Sequence, residues 1–273
     1  MTKIGIAIST YTEDKTDISR YDIINRSLKS LSKYLKNTVL DDIYTVIVVD
    51  GPIPEKHKNI LEQYKNNKSN ISNEIHVFNR KENGGVARTK NTSIKLLLEQ
   101  KVDYGFLMDD DVEYKERCFE KYVEAMQKTG SHHMGYCQMP ELVHPKNEWK
   151  KMGYYETNIN KYSIMRHGGG GAGCLLSFTQ ELIKKIGYFK VMKGKYGYEH
   201  INFTYRAIHH NIIPFASDIV ESSKYIEHIG FEPVKYNKFN KSHSISEEYR
   251  KSENEKNKYE WNKGLDNIEP CIE

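Results

Sequence analysis

The run Asp103-Tyr104-Gly105-Phe106-Leu107-Met108-Asp109-Asp110-Asp111-Val112-Glu113 passes from apolar to acidic within a single residue. Phe106-Leu107-Met108 has the character of a buried strand, and it breaks straight into three carboxylates. Adjacent anions repel one another, and neither a buried strand nor an ordinary turn needs three of them. The repulsion falls if a divalent cation sits between them. Because side chains alternate along extended backbone, Asp109 and Asp111 face one way and Asp110 the other. An Asp-x-Asp at a strand end can hold a hard metal together with a ligand's phosphate oxygens. Taken alone, the triplet reads equally as a solvated acidic turn, so its surroundings have to decide.

Upstream of that run, strand and helix alternate. Ile4 to Ser9 reads as a strand ending at Thr10-Tyr11-Thr12-Glu13. Ile23, Ile24, Leu28, Leu31, Tyr34 and Leu35 recur at helical spacing and predict a helix over 20–36. Tyr44-Thr45-Val46-Ile47-Val48-Val49 is continuous and β-branched, as strands buried on both faces are, and stops at Asp50-Gly51-Pro52. A helix over 54–66, a short strand from Glu74 to Phe78 and a helix from Val86 complete the set. The last of these follows Asn79-Arg80 and Asn83-Gly84-Gly85 and carries Arg88, Lys90 and Asn91 on its first turns. The pattern predicts an α/β fold: an open, mostly parallel sheet flanked by helices. Such sheets bind ligands at the carboxyl ends of their strands, where Tyr11, Asp50, Arg80 and Asp109 all fall.

Each of these polar groups has a plain explanation by itself, Asp50-Gly51 as a turn and Arg88 as a solvated helix residue. Jointly they suggest a nucleotide site. Tyr11 can stack on a base, Asp50 can accept a hydrogen bond from a base or ribose, and Arg88 can lie near phosphates. There is no Gly-x-x-x-x-Gly-Lys loop and no Gly-x-Gly-x-x-Gly after the first strand, so ATPase and dehydrogenase readings lose their main support.

Composition sets the outer bounds. A chain of 273 residues can bury a full core. Forty-one Lys and Arg against 37 Asp and Glu give a formal charge of +4, too small an excess to demand nucleic acid, and no basic stripe interleaved with aromatics appears in the first 220 residues. Cys118, Cys137, Cys174 and Cys271 are widely separated and read as free thiols of a reducing compartment, so a cytoplasmic location is expected. The apolar run at the amino terminus is too short for a signal sequence or a membrane span.

Downstream of the triplet, Phe119, Tyr122, Val123 and Met126 predict a core-facing helix over 113–127. The stretch 130–165 reads as a strand plus a variable loop facing an acceptor. In Gly168-Gly169-Gly170-Gly171-Ala172-Gly173 five of six positions are glycine, a backbone without side-chain walls that a ligand can approach closely, or alternatively a hinge. A strand, Leu175 to Phe178, and a helix from Thr179 to Ile186 follow. Glu199 begins a further helix, where the dipole alone favours a carboxylate. His228, flanked by isoleucines in Ile226-Glu227-His228-Ile229, reads as a satisfied core histidine or as a ligand. After about 233 the composition turns to Lys, Asn, Ser and Glu, an extension that either closes over the donor or stays solvated.

Ile8-Ser9-Thr10-Tyr11, Val48-Val49-Asp50-Gly51, Asn83-Gly84-Gly85-Val86-Ala87-Arg88 and Phe106-Leu107-Met108-Asp109-Asp110-Asp111, in this order, resemble the GT-A glycosyltransferases of the family-2-like kind. The resemblance spans about residues 3 to 230 and implies a glycosyltransferase domain over 1–232. Its nucleotide-binding half would be 1–113 and its acceptor and catalytic half 114–232, with 233–273 as an extension. It implies a nucleotide-sugar donor, a UDP-sugar, and a carbohydrate or glycan acceptor. Donor contacts would come from Thr10, Tyr11, Glu13, Asp50, Arg80, Gly85, Arg88, Asp109, Asp110 and Gly171, with Asp50 on the uracil. The family commonly has two acidic residues before the Gly of the second motif, and this chain has Asp50 alone. By the same likeness Asp109, Asp111 and His228 hold a metal, for which carboxylates plus one imidazole suit Mn²⁺, with Mg²⁺ as substitute. Related transferases place a catalytic base in a Gly-aromatic-Glu-Asp motif, which here reads Gly197-Tyr198-Glu199-His200. Glu199 is therefore the expected general base of an inverting reaction, with His200 as the residue able to share that role. A nucleotidyltransferase, which should carry a glycine-rich triphosphate loop after the first strand, and a non-catalytic nucleotide-sugar-binding protein are the alternatives.

Overall fold

A computed structural model of the chain describes residues 2–13, 18–65, 74–137, 146–168, 173–193, 197–229, 247–263 and 268–271. β1 (Lys3–Thr10) leads into α1 (Ile18–Asn37), β2 (Asp42–Val49) into α2 (Glu55–Lys65), and β3 (Ile75–Asn79) into α3 (Val86–Glu99). β4 (Tyr104–Asp109), the short β5 (Val112–Tyr114) and α4 (Cys118–Thr129) follow. Beyond them lie α5 (Lys146–Trp149), β6 (Tyr155–Ile159), β7 (Tyr162–Arg166), β8 (Leu175–Thr179) and α6 (Gln180–Ile186). The described chain finishes with α7 (Glu199–His209), β9 (Ser217–Ile219), β10 (Ile226–His228) and α8 (Glu247–Asn262).

The main sheet has the order β3-β2-β1-β4-β8. All its pairings are parallel except β8 against β4. From β1 the chain steps outward through β2 and β3, then returns to lay β4 on the other side of β1. That reversal opens a crevice beyond the carboxyl ends of β1 and β4, the usual ligand position in such sheets. Ser9 is in register with Asp109, so the Thr10-Tyr11 end and the aspartate triplet share one rim.

Both faces of the sheet are covered, which is why its strands are continuously apolar. Ile4, Ile6, Ile8, Ile47, Phe106 and Met108 pack with Leu28 and Leu31 of α1 and Phe119 and Tyr122 of α4. The alternate residues Ala7, Val46, Val48, Leu107 and Phe178 meet Ile94 and Leu97 of α3, Leu182 of α6 and Phe203 of α7. Contact between β4 and β8 is tightest at Gly105, where an added Cβ would lie 2.3 Å from ring carbons of Phe178. Gly105→Ala is expected to lower stability by about 1–3 kcal/mol through overpacking. The drop would appear as a lower urea midpoint, partly restored by adding Phe178→Leu.

Two expectations need correction. The helix expected over 113–127 starts later, at Cys118, after Arg117 in a left-handed conformation (φ 60). Val112–Tyr114 instead forms β5 and pairs antiparallel with β10. The stretch 130–165 holds two strands where one was expected, β6 and β7 joined as a hairpin. Asn160 and Lys161 both have positive φ, 50 and 67, as a two-residue primed turn requires. A lysine where glycine is usual hides that turn in the sequence. All four cysteines are free thiols. Among the described residues, no helix is long and apolar enough to cross a membrane.

Candidate active site

Three segments converge on the acidic corner. β4 ends at Asp109, β5 begins at Val112, and β10 returns so that His228 is in register with Val112. The Ile229 amide donates to the Asp111 carbonyl at 2.8 Å. His228 Nε2 lies 3.2 Å from Asp111 Oδ2. Burial opposes charge on both groups, yet the contact between them outweighs it. The Asp111 carboxyl is held below its ordinary range and the His228 imidazole above its own. Asp111 Oδ1 is buried with no hydrogen-bond partner among the described residues.

Asp109, expected to face the same way as Asp111 and to share the metal with Asp111 and His228, is turned toward α3 instead. Lys90 Nζ lies 3.0 Å from Asp109 Oδ1 and donates to the Gly173 carbonyl at 2.8 Å. Lys90 is only 1% exposed, and a buried ammonium needs such partners. It was not among the expected site residues. The available signal was its position four residues before Ile94, which sets a lysine in the apolar stripe of α3.

Asp110 faces away from both, as the alternation requires. Its carboxylate accepts from the Thr10 hydroxyl and pairs with Arg20 at 2.5 Å. Thr10 Oγ1 also lies 3.0 Å from His57 Nε2. Thr10 and Asp110 therefore brace the turn from behind, against α1 and α2. Tyr11 packs half-buried on the core edge, and Glu13 is exposed.

At the β2 end, Asp50 accepts from the amides of Gly84 and Gly85 at 3.1 and 2.9 Å and pairs with Arg80 at 3.3 Å. The contact binds the β2 turn to the loop that starts α3. Gly51 (φ 94) has no alternative there, since a Cβ would approach the Asn83 backbone nitrogen to 2.4 Å. Arg88 lies one turn along α3, where its guanidinium donates to Cys271 Sγ.

Glu199 opens α7 directly after Tyr198, a non-glycine residue held left-handed (φ 67). Such strained positions persist where surrounding structure over-determines them. Glu199 is 6% exposed; its Oε2 accepts from the Gly197 amide at 2.6 Å, and its Oε1 lies 3.7 Å from His200 Nδ1. Burial raises its pKa, but His200, a backbone amide and the charge of Lys90 together bring it below the ordinary value. His200 packs on Gly173, where a Cβ would meet its ring at 3.2 Å. A continuous series of contacts thus joins Glu199 and His200, through Gly173 and Lys90, to Asp109, while His228 meets Asp111 two residues further along the same turn. Gly171 lies outside the described residues.

A Rossmann-like sheet with an acidic corner at its switch point and a buried carboxylate across from it defines the GT-A class of fold. Residues 6–187 match the profile of glycosyl transferase family 2, and the chain belongs to that family. An uncharacterized glycosyltransferase of Acanthamoeba polyphaga mimivirus is 35% identical over 226 residues, 82% of this chain and 80% of the viral protein. The crystal structure of S. aureus TarS superposes with a TM-score of 0.56 at 15% identity. That match covers 91% of this chain but only 41% of TarS. TarS 1–349 in complex with UDP gives 0.56 at 16% identity, covering 91% of this chain and 68% of that one. The corresponding UDP-GlcNAc complex gives 0.53 at 16%, with coverages of 91% and 69%. At these identities the likeness to TarS is one of fold.

Proposed function

We propose that this chain transfers a sugar from a UDP-sugar to a hydroxyl of a carbohydrate or glycan acceptor, with a divalent metal and with inversion at the anomeric carbon. The observation that carries the proposal is the Asp111–His228 pair, whose buried Asp111 Oδ1 has no hydrogen-bond partner among the described residues, beside Asp109, whose partner Lys90 also acts on the Glu199 carboxylate. The complexes of TarS with UDP and with UDP-GlcNAc support the choice of nucleotide.

The residues present fit Mn²⁺, or Mg²⁺ in its place. Asp111 offers a carboxylate oxygen and His228 an imidazole nitrogen, a donor set such ions accept. Among the described residues no group of three or more His, Cys, Asp or Glu is arranged to hold an ion. The protein would therefore supply two ligands and the donor diphosphate the rest, as is usual for ions held with substrate phosphates. When bound, the ion neutralises charge building on the leaving diphosphate. Asp109, fixed by Lys90, faces ribose and diphosphate. Asp50, with Gly85 and Arg80, bounds the base end, and Arg88 lies near the phosphates. Glu199 takes the proton of the acceptor hydroxyl. That oxygen bonds to the anomeric carbon on the face opposite the leaving diphosphate, the carbon–oxygen bond to the diphosphate breaks, and UDP leaves.

A melting-temperature screen tests this directly. At about 100 times Kd a bound donor adds about 2.7 kcal/mol, a rise of roughly 5 °C for a chain of this size. A UDP-sugar is expected to give that rise with Mn²⁺ and to lose it when EDTA is added. A panel of nucleotide sugars that leaves the melting point unmoved, with or without Mn²⁺, would overturn the proposal.

A further inference from the structure

The polar carboxyl-terminal stretch docks on the segment that leads to Glu199. Among its described side chains, α8 buries Glu253 and Asn257, one turn apart, and both close on Lys190. Lys190 Nζ lies 2.8 Å from Asn257 Oδ1, 3.1 Å from Glu253 Oε2 and 3.0 Å from Glu260 Oε2. The Lys190 side chain is 14% exposed and the two carboxylates 10% and 20%. The Tyr249 hydroxyl accepts the Lys193 amide at 3.1 Å. Past α8, the Ile268 carbonyl accepts the Tyr188 amide at 2.8 Å. From the other side Asn91 of α3 exchanges two hydrogen bonds with the backbone of Phe189, at 2.8 and 3.0 Å. Residues 188–193 are thereby gripped between α3 and the carboxyl-terminal stretch.

None of these charges has a part in the chemistry proposed above, yet Gly197, whose amide donates to the Glu199 carboxylate, follows the gripped segment by four residues in the sequence. We propose that Lys190 is a positioning residue for Glu199, and that α8 is the clamp through which it acts. The inference rests on Glu199 being the general base. Among its described side chains, α8 meets Lys190 with two carboxylates and an amide, so this one cation is the centre of that contact. Without Lys190, Glu253 and Glu260 lose the cation they share, Glu260 keeping only the longer contact with Lys256 at 3.8 Å, and largely buried carboxylates deprived of a partner are strongly destabilised. α8 then loosens, 188–193 keeps its contacts with α3, α7 and Ile268 but loses those of α8, and the base is held less firmly. A displacement of about 1 Å at a reacting group lowers turnover by roughly 10²-fold. Donor binding is built on β1, β2, β4 and α3, and Arg88 meets the carboxyl-terminal stretch at Cys271, beyond α8.

The test uses the full chain with Lys190→Met, Lys190→Arg and Glu199→Gln. Three quantities are measured: UDP release from a panel of UDP-sugars with Mn²⁺, UDP affinity by calorimetry, and amide hydrogen exchange. Lys190→Met is expected to lower kcat by at least about tenfold. Donor KM and UDP affinity should stay within about twofold, and exchange should quicken across 188–203 but not in β4. Lys190→Arg, which keeps the charge, is expected to restore both kcat and protection. Wild-type kcat in Lys190→Met below its melting point, or unchanged exchange across 188–203, overturns the inference. So does failure of Lys190→Arg to rescue. If Glu199→Gln is inactive while Lys190→Met is fully active, the inference alone fails. If Glu199→Gln turns over normally, the base assignment fails and takes the inference with it.

Discussion

Asp111→Asn is expected to abolish transfer and, with it, the dependence of UDP binding on Mn²⁺. The amide keeps the size of the carboxylate and can still meet His228 Nε2, which lies 3.2 Å from Oδ2 in the native chain. What it removes is the anionic oxygen. Asp111 Oδ1 is buried and without a hydrogen bond among the described residues, which leaves it available to a cation or donor. Because His228 and Arg20 hold the Asp111 carboxyl below its ordinary range despite burial, the variant also loses the stability of that ion pair and should melt somewhat below wild type, so turnover is compared well below both melting points. Electrostatic stabilisation of a leaving group is among the largest single contributions to catalysis, so turnover should fall by on the order of 10³-fold. Calorimetric titration with UDP, with and without Mn²⁺, measures the binding half of the prediction. An Asn variant whose UDP affinity still rises on adding Mn²⁺, as wild type's should, would remove Asp111 from the metal site.

The sheet was legible in the sequence because its physics is local and periodic. Val46 to Val49 can be buried on both faces only as a central strand, and Leu28 with Leu31 can share a stripe only on a helix. The rim was legible for the same reason: once strands are placed, Tyr11, Asp50 and Asp109 must emerge at their carboxyl ends. What escaped depends on pairing between distant segments. Nothing in Val112-Glu113-Tyr114 announces a partner more than a hundred residues on, yet β10 is what sets His228 beside Asp111. Lys90 looked like any helix lysine until its two acceptors, Asp109 and Gly173, came from two other segments. Thr10 and Asp110 were expected on the donor, and their side chains engage Arg20 and His57 behind the rim. The alternation of side chains already placed Asp110 on the opposite face; the identity of what waited there was not readable. The polar tail was the least legible part, because ion pairs on a helix such as α8 leave no periodic trace.

Glu199→Gln is expected to remove transfer while leaving donor binding nearly intact. Here the fold argues that the substitution is clean. The Gln carbonyl can accept the Gly197 amide that Glu199 Oε2 now accepts at 2.6 Å, so the left-handed Tyr198 and the start of α7 keep their geometry. The amide cannot take a proton. A general base supplies about 10²- to 10⁴-fold, and kcat should fall within that range. The native group is ionised at neutral pH, because its contacts with His200, a backbone amide and Lys90 outweigh the burial that would otherwise protonate it. With its pKa below the ordinary carboxylate value, activity should fall on the acid side as Glu199 gains a proton. UDP affinity with Mn²⁺ should stay within about twofold, since the donor contacts belong to other residues. A Gln variant with wild-type kcat would move the base elsewhere, with His200, packed on Gly173 at the same rim, the next residue to replace.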